Sequence, residues 1–339
     1  MAISVKKSVF AAAACLMALT VLFTVLFNYL VLSPKDKVQN YKVFEVREGA
    51  PFGRIADDLQ KEGLIPSSTG LRLWAIYKGY SGKVKAGEYR LSPSMSPWDI
   101  LEVLRKGEVA LHDVTIPEGF NLRQIADVLA RQGIVAREEF LRIAQDPMVA
   151  FEYGISAGGL EGFLFPDTYR FARAIPARTV IHAMVSRFME MIAPYRGKQH
   201  PMGLSMEELV TLASIVEKET AKAEEKPTVA SVFLNRLKKK MPLASDPTVI
   251  YAIDDFDGNL TRRDLANPSP YNTYRQKGLP PGPIASPGIE SIKAVIYPPE
   301  TEYLFFVSRN DGTHVFSKTY EEHARAVSVY QKKRSGTNE

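Results

Sequence analysis

Two glutamates stand in a segment that otherwise has the composition of an apolar helix. The segment is "LASIVEKETA", residues 212–221, and the glutamates are Glu217 and Glu219. A carboxyl group held against apolar neighbours favours its protonated form, which is the form that a general acid needs near neutral pH. These two side chains are therefore the first candidates for catalysis in the sequence.

Helical periodicity places both glutamates at the edge of the apolar face. If Leu209 marks the centre of that face, a rotation of about 100° per residue puts Glu217 and Glu219 on opposite shoulders of it. Each side chain is then partly buried, and one ligand cannot easily touch both. In a second interpretation the glutamates only form ion pairs with basic residues such as Lys222 or Arg236. Periodicity is compatible with either interpretation and with either glutamate as the acid.

A second candidate region is rich in proline and glycine. It covers residues 267–292, "NPSPYNTYRQKGLPPGPIASPGIESI", and contains Tyr271, Asn272 and Tyr274. Stiff loops of this length inside a compact domain usually carry function. Tyrosine faces can stack on the C–H side of a sugar, and an amide can bond to hydroxyl or acetamido groups. A proline-braced loop that covers the core is an equal alternative.

The elements that must position these residues have clear boundaries in the sequence. Ser205 and Glu208 form a capping box, which predicts a helix from residue 206 to about residue 220. Pro227 predicts the start of the next helix. Two apolar runs around residues 310–312, Asn-Asp-Gly, predict a β-hairpin.

The N-terminus carries an apolar run without a charged residue over 24 positions, residues 9–32. As a helix this run spans about 36 Å, which is enough to cross a bilayer. A cleaved signal peptide has a shorter apolar core and a small-residue cleavage site, which the following "LVLSPKDK" lacks. The run predicts a single-pass anchor, with residues 1–8 as a cytoplasmic stub and the rest outside. Cys15 is the sole cysteine, so the remainder of the chain suits an oxidising compartment.

An internal repeat follows the apolar run. Shifted by 70 residues, "VFEVREGAPFGRIADDLQKEGLI" aligns without a gap on "DVTIPEGFNLRQIADVLARQGIV", with Glu48 on Glu118 and Gly49 on Gly119. Each copy predicts a short strand, a Glu-Gly turn and an amphipathic helix ended by glycine. A further strand and a helix beginning near Pro97 are predicted between the copies. One interpretation of the repeat is a duplicated α+β scaffold with no ligand of its own.

Composition limits the classes of function. With 339 residues, 45% hydrophobic and 24% charged, the chain is long enough for about two globular domains. The net charge of +5 is small, and the only dense basic run, residues 236–240, is typical of a solvated helix end, so no nucleic-acid partner is expected. The five histidines are scattered without an HExxH pattern, so we expect no metal or other cofactor.

Several motifs in order give the sequence a specific resemblance. "EGFLFPDTY", "LASIVEKET", "SDPTVIYA", "SPYNTY…GLPPGPIASPG" and "HVFSKTYEEH" resemble the membrane-anchored endolytic murein transglycosylase family. Residues 42–110 also resemble the LysM glycan-binding modules, which implies binding of N-acetylated sugars. The resemblance implies an α+β fold. Its parts are a transmembrane helix over residues 9–32, a LysM-like α+β region with the internal repeat over residues 40–150, and a mixed α/β catalytic domain over residues 155–335.

The resemblance also implies an activity and its residues. Members of the family cut nascent peptidoglycan strands between N-acetylmuramic acid and N-acetylglucosamine, leave 1,6-anhydro-muramoyl ends and so limit strand length. They act on the extracytoplasmic side of the cytoplasmic (inner) membrane, and peptidoglycan synthases are candidate partners. The catalytic glutamate of the family corresponds to Glu217, so Glu219 becomes a supporting carboxylate. The expected further site residues are Tyr271, Asn272 and Tyr274 for sugar contacts and Asp246 for orientation.

Two alternative functions are compatible with the sequence. The first is a lysozyme-type hydrolase, in which a second carboxylate such as Asp246 or Asp167 activates water. The second is a non-catalytic cell-wall scaffold that binds glycan through the repeat and docks a synthase. Only the scaffold would keep its function if Glu217 were replaced by glutamine.

Overall fold

The computed structural model describes residues 2–197 and 202–331. The described residues fold as two compact units, residues 2–112 with 172–174 and residues 113–171 with 175–197 and 202–331. The second copy of the repeat therefore lies in the second unit. Residue 1 of the predicted stub and residues 198–201 and 332–335 of the predicted catalytic range lie outside the described residues.

The first unit begins with the apolar helix that the sequence predicts. Helix α1 covers Ala2–Phe27 and continues as a π-helix over Asn28–Leu32. Within the described residues, Ala12–Leu32 is the one stretch long and apolar enough to cross a membrane, with a mean hydropathy of 2.3. The hydroxyls of Thr20 and Thr24 donate to carbonyls one turn earlier, at 2.8 Å each, so these polar groups are satisfied without water.

The rest of the first unit contains the two strands and two helices that the sequence predicts, and one further helix, Ser68–Lys78, between them. Its elements are β1 (Lys42–Val46), α2 (Phe52–Lys61), α3 (Ser68–Lys78), β2 (Gly87–Leu91) and α4 (Pro97–Lys106). Strands β1 and β2 pair antiparallel, and their alternate residues, such as Phe44 and Tyr89, enter the core. Helix α4 begins at Pro97, as predicted, because Ser96 caps it and proline is favoured in the first turn.

The second unit is mostly helical. Its first elements are β3 (His112–Thr115), α5 (Leu122–Arg131), α6 (Arg137–Ala144), α7 (Pro147–Glu152), β4 (Thr168–Phe171), α8 (Ala177–Ile192) and a 3-10 turn (Ala193–Tyr195). They are followed by α9 (Met206–Glu219), α10 (Lys226–Lys238), α11 (Asp246–Tyr251), α12 (Arg262–Leu265), α13 (Ile289–Ile296), β5 (Phe305–Ser308), β6 (His314–Ser317) and α14 (Tyr320–Tyr330). Strand β3 pairs with β4, and β5 with β6 as the predicted hairpin.

The duplication seen in the sequence is also present in the backbone. Gly49 and Gly119, at equivalent places of the two Glu-Gly turns, have φ angles of +72° and +76°. This left-handed conformation costs a residue with a side chain about 1 kcal/mol or more, which explains glycine in both copies. Helix α2 buries Phe52, Ile55, Ala56 and Leu59, and α5 buries the residues 70 positions later, Leu122, Ile125, Ala126 and Leu129.

Helix α9 carries the two candidate glutamates on its last turn. The predicted capping box is present: the Ser205 hydroxyl accepts from the N–H of Glu208 at 3.2 Å, and the Glu208 carboxylate accepts from the N–H of Ser205 at 2.8 Å. Every residue from 209 to 216 is buried, because α10 and α13 pack on α9 in addition to the rest of the core. The middle of the helix is thus fixed on all sides, and its C-terminal turn is positioned with it.

Candidate active site

Glu217 lies where three helices meet. The Lys226 ammonium, on the first residue of α10, donates to both of its carboxylate oxygens at 3.0 Å. The Ser291 hydroxyl, in the first turn of α13, donates to Oε2 at 2.6 Å, and the Gly288 N–H that precedes α13 donates to the same oxygen at 3.0 Å. The Glu217 side chain is 7% exposed and that of Lys226 is 5% exposed, so this is a buried ion pair.

These bonds distinguish the two oxygens of Glu217. Oε2 is held by donors from the start of α13, where the helix dipole also favours a negative charge. Oε1 accepts from the Lys226 ammonium, which also donates to Oε2. An acid–base catalyst needs one anchored oxygen to fix its geometry and one oxygen that can exchange a proton.

Lys226 also contacts a second carboxylate. Oε2 of Glu118 lies 3.6 Å from its ammonium, and the Glu118 side chain is half exposed. Glu118 belongs to the Glu-Gly turn of the second repeat copy. This turn is pinned by two backbone bonds, from the Gly119 N–H to the Ser286 carbonyl at 2.9 Å and from the Ser286 N–H to the Phe120 carbonyl at 2.8 Å. The repeat thus supplies part of the Glu217 site.

Glu219 belongs to a different cluster. The Ser245 hydroxyl donates to its Oε1 at 2.5 Å, and the neighbouring Asp246 accepts from the Tyr274 hydroxyl at 2.6 Å. Burial raises the pKa of Glu219 to about 7. The nearby charge of Asp246 also raises this pKa, whereas the hydrogen bond from Ser245 lowers it. Glu219, Asp246 and Tyr274, three of the expected site residues, are therefore brought together around Ser245.

Tyr271 and Asn272 have different surroundings. Tyr271 is half-buried and packs on Tyr251, with 4.9 Å between ring centroids. Asn272 is fully buried, and its amide donates to the carbonyls of Leu265 and Asn267 at 3.0 and 2.7 Å. Both amide hydrogens are used, so Asn272 braces its own loop, and a sugar contact would require these bonds to break.

Glu161 is a buried carboxylate that the sequence analysis did not select. It accepts from the Leu122 N–H at 3.1 Å and from the Tyr251 hydroxyl at 3.1 Å. Burial raises its pKa to about 7, despite these two bonds. Its signal in the sequence is a single acidic residue between glycines in the apolar run "GLEGFLF". Asp167, by contrast, forms an ion pair with Arg187 at 2.8 Å.

Sequence reasoning missed three residues of the Glu217 site, namely Lys226, Ser291 and Glu118. Lys226 lies among charged residues in "AEEKP" and has the appearance of a solvated position. Ser291 lies in the segment chosen for its tyrosines. The repeated Glu-Gly pair was the available signal for Glu118, but a repeat is more often explained by folding than by chemistry. Within the described residues, no group of three or more His, Cys, Asp and Glu side chains could hold a metal ion.

We expect the stability of the protein to fall as the pH rises from 5 to 8, partly because of Glu219. Its folded-state pKa, about 7, lies above the ordinary value of 4.5, so the folded state binds this proton more tightly. The resulting contribution is fully present below pH 4.5 and is lost as the pH rises through 7, by up to ~3 kcal/mol. In denaturant unfolding of the full chain in detergent, Glu219→Gln should flatten the pH dependence and be more stable than wild type at pH 8.

Glu207 on the same helix provides the matched control. Burial raises the pKa of Glu207, but the bond from the Ser156 N–H and further hydrogen bonds outweigh it, so the net pKa is lowered. Glu207 is therefore ionised across the whole range from pH 5 to 8, and Glu207→Gln should change the free energy of unfolding by a constant amount. An unchanged slope in Glu219→Gln would contradict the prediction.

Fold and site together define an α+β protein with an apolar N-terminal helix and a carboxylate-centred site at a three-helix junction. The chain belongs to the YceG-like family, whose model matches residues 44–329. A 2.6 Å crystal structure of a YceG-like protein from Listeria monocytogenes is 34% identical and superposes with a TM-score of 0.59, covering 84% of this chain and 98% of the other.

Two relatives of known name confirm the resemblance predicted from the motifs. An endolytic murein transglycosylase from Bacillus subtilis is 33% identical over 323 residues, which are 90% of this chain and 89% of the relative. An endolytic murein transglycosylase from Streptococcus pneumoniae is 33% identical over 324 residues, and here 86% of this chain matches 59% of the longer relative.

Proposed function

We propose that this protein is an endolytic lytic transglycosylase that cleaves nascent peptidoglycan strands and leaves 1,6-anhydro-muramoyl ends. The observation that carries the proposal is the position of Glu217, a buried carboxylate whose Oε2 is held by Ser291 and Gly288, in the motif that carries the catalytic residue of the family. The names of the relatives give the substrate class.

One carboxylate is sufficient for this reaction. Protonated Glu217 donates to the oxygen between N-acetylmuramic acid and N-acetylglucosamine, and the bond from this oxygen to C1 breaks. The acetamido group next to C1 stabilises the developing positive charge. Glu217, now ionised, takes the proton of the muramic acid C6 hydroxyl while O6 bonds to C1. The proton returns to Glu217 and no water is consumed. A glycosidase that uses water needs a second carboxylate.

Lys226 is the residue that allows Glu217 to serve both as acid and as base. In the free protein Lys226 is the ammonium partner of the Glu217 carboxylate, 3.0 Å from both oxygens, and after it has given up its proton the Lys226 amine can take up, through Glu217, the proton that the C6 hydroxyl releases. When substrate covers Glu217 and Lys226 it displaces water, and the free-energy cost of keeping both groups charged then rises. This favours transfer of the Lys226 proton to Glu217, which yields the acid needed in the first step. Ser291 and Gly288 keep the carboxylate oriented throughout.

We further propose the location and the supporting roles. The helix of Ala12–Leu32 would anchor the protein as a single-pass membrane protein with residues 1–8 in the cytoplasm and both units on the outer side. The Glu219, Asp246 and Tyr274 cluster would contact and orient the glycan beside Glu217. Residues 40–150 would bind glycan in the manner of LysM modules, and peptidoglycan synthases would be partners.

The test of the chemistry is the mass of the glycan ends that the protein releases from intact peptidoglycan. We expect ends that are one water lighter than a reducing sugar, because O6 of the same residue replaces water as the nucleophile. Borohydride treatment gives an independent check, since it reduces ordinary ends and leaves anhydro ends unchanged. Ordinary reducing ends would contradict the lytic proposal.

A lysozyme-type hydrolase is the second candidate function, and Glu118 favours it. Glu118 is a half-exposed carboxylate next to the same ammonium as Glu217, so it could activate water. A hydrolase would lose its activity in Glu118→Gln. The lytic enzyme should retain most of its activity in that variant, because its mechanism does not use a second carboxylate.

A further inference from the structure

Helix α3 has an apolar face that the folded chain leaves uncovered. Leu73, Ile76 and Tyr77 are 65%, 68% and 76% exposed, and their spacing places them on one face of the helix. The opposite face already provides Leu71 and Ala75 to the core. A helix in water normally exposes a polar face, so the exposed apolar face of α3 points to a second apolar environment.

This face continues the surface of the apolar N-terminal helix. The Trp74 ring contacts Phe27, the last residue of α1, with 4.9 Å between ring centroids. The π-helix that follows α1 packs against α3 and α4, where Val31 is buried and Leu30 fits closely over Gly70. An open groove of about 570 Å³ lies between the end of the N-terminal helix and α3. Its lining is mostly apolar and includes Phe23, Leu26, Phe27, Leu73 and Tyr77.

The residues around the groove are those of a membrane–water boundary. The only two tryptophans of the chain, Trp74 and Trp98, are in contact here at 5.8 Å between centroids. The Lys78 ammonium lies 5.0 Å from the Trp74 ring and 5.7 Å from the Trp98 ring. Tryptophan, tyrosine and lysine with an apolar stem and a polar end are enriched where a membrane helix leaves the hydrocarbon.

We propose that α3 lies on the outer surface of the bilayer, with Leu73, Ile76 and Tyr77 in the lipid and acyl chains in the groove. This inference rests on the proposed membrane anchoring. Lipid is the occupant because the groove is open to the exposed side chains of α1, such as Phe23 and Leu26, which a bilayer would surround in the same way. The first unit would then be held at the membrane at two places, by α1 and by α3, and could not turn freely on its anchor.

The test is the depth of a spin label at residue 76. In the full chain with Cys15, its only cysteine, replaced by alanine, Ile76→Cys is labelled and the protein is reconstituted into vesicles of phosphatidylethanolamine and phosphatidylglycerol. Leu111→Cys is the matched control, since Leu111 is an apolar residue of the same unit, 49% exposed and beyond the far end of α4. Accessibility is measured by power saturation with oxygen, which enters lipid, and with a water-soluble nickel complex, which does not.

We expect the label at residue 76 to be accessible to oxygen and shielded from nickel, and the label at residue 111 to show the reverse. If the protein floats with the vesicles but nickel reaches both labels equally, the α3 proposal would be overturned and the anchor would stand. A label at residue 76 shielded from both reagents would show a protein occupant and would also overturn it. Loss of the protein from floated vesicles would overturn anchor and proposal together.

Discussion

Glu217→Gln is expected to lose about 10³–10⁴-fold of the glycan-cleaving activity, because one group supplies both the acid and the base. Glutamine has nearly the same shape and can still accept from Ser291 and Gly288, but it can neither give nor take the proton. The measurement is the rate of release of soluble fragments from purified peptidoglycan by the full chain in detergent. The rate is normalised to the folded fraction from circular dichroism.

Glu219→Gln is the matched control for this loss. This variant also replaces a carboxyl group by an amide, on the same helix and two residues from Glu217. The Glu219 carboxyl group, however, lies in the Ser245 cluster. We expect it to keep activity within about tenfold of wild type, because it removes no group that exchanges a proton with substrate. If Glu219→Gln were inactive and Glu217→Gln active, the assignment of the acid would be reversed. If both were active, a scaffold function would be favoured.

The sequence predicted the elements of this protein better than the surroundings of its charged residues. Helix α9 begins at Met206, and α4 at Pro97, as their local capping signals require. The hairpin of β5 and β6 and the apolar N-terminal helix were predicted for the same reason, since their signals lie within a few consecutive residues. Capping boxes, turns and apolar runs are properties of neighbours in sequence, so they need no knowledge of the fold.

The hydrogen-bond partners of Glu217 could not be predicted in this way. The Lys226 ammonium is nine positions away in the sequence and the Ser291 hydroxyl that donates to Oε2 is 74 positions away. Glu118, which contacts Lys226, lies in the second copy of the repeat. These residues meet because α9, α10 and α13 pack together, which is a property of the tertiary structure. The buried Asn272 illustrates the opposite case, since a polar residue in a proline-rich loop suggested a ligand contact and instead holds the loop through two backbone carbonyls.

Glu161 and Glu219 show why a raised pKa alone does not identify the acid. Burial raises the pKa of both to about 7, the range expected of a general acid. Glu217 differs from both in its ion pair with Lys226, whose ammonium is also 3.6 Å from the half-exposed carboxylate of Glu118. We therefore base the choice of Glu217 on this ion pair and on the family motif, and not on proton affinity alone.

Lys226→Met is expected to lower both the stability and the activity of the protein. Removal of one partner of a buried ion pair leaves the other charge uncompensated, at a cost of about 3–5 kcal/mol. Without Lys226, no amine takes up the C6 hydroxyl proton through Glu217, so the base step should slow by about 10²-fold and the pH–rate profile should change. The control is Lys222→Met, the same change at an exposed lysine four residues earlier, which should alter neither quantity measurably.

The double variant Glu217→Gln with Lys226→Met separates the structural part of this effect from the chemical part. Two neutral side chains of similar volume replace the buried ion pair, so the free energy of unfolding should recover by at least ~2 kcal/mol relative to the sum of the single changes. Activity should not recover, because no group is left to exchange the proton. If Lys226→Met alone kept the wild-type rate and pH profile per folded molecule, Lys226 would serve only to neutralise a buried charge, and the proton transfer that we assign to the pair would be wrong.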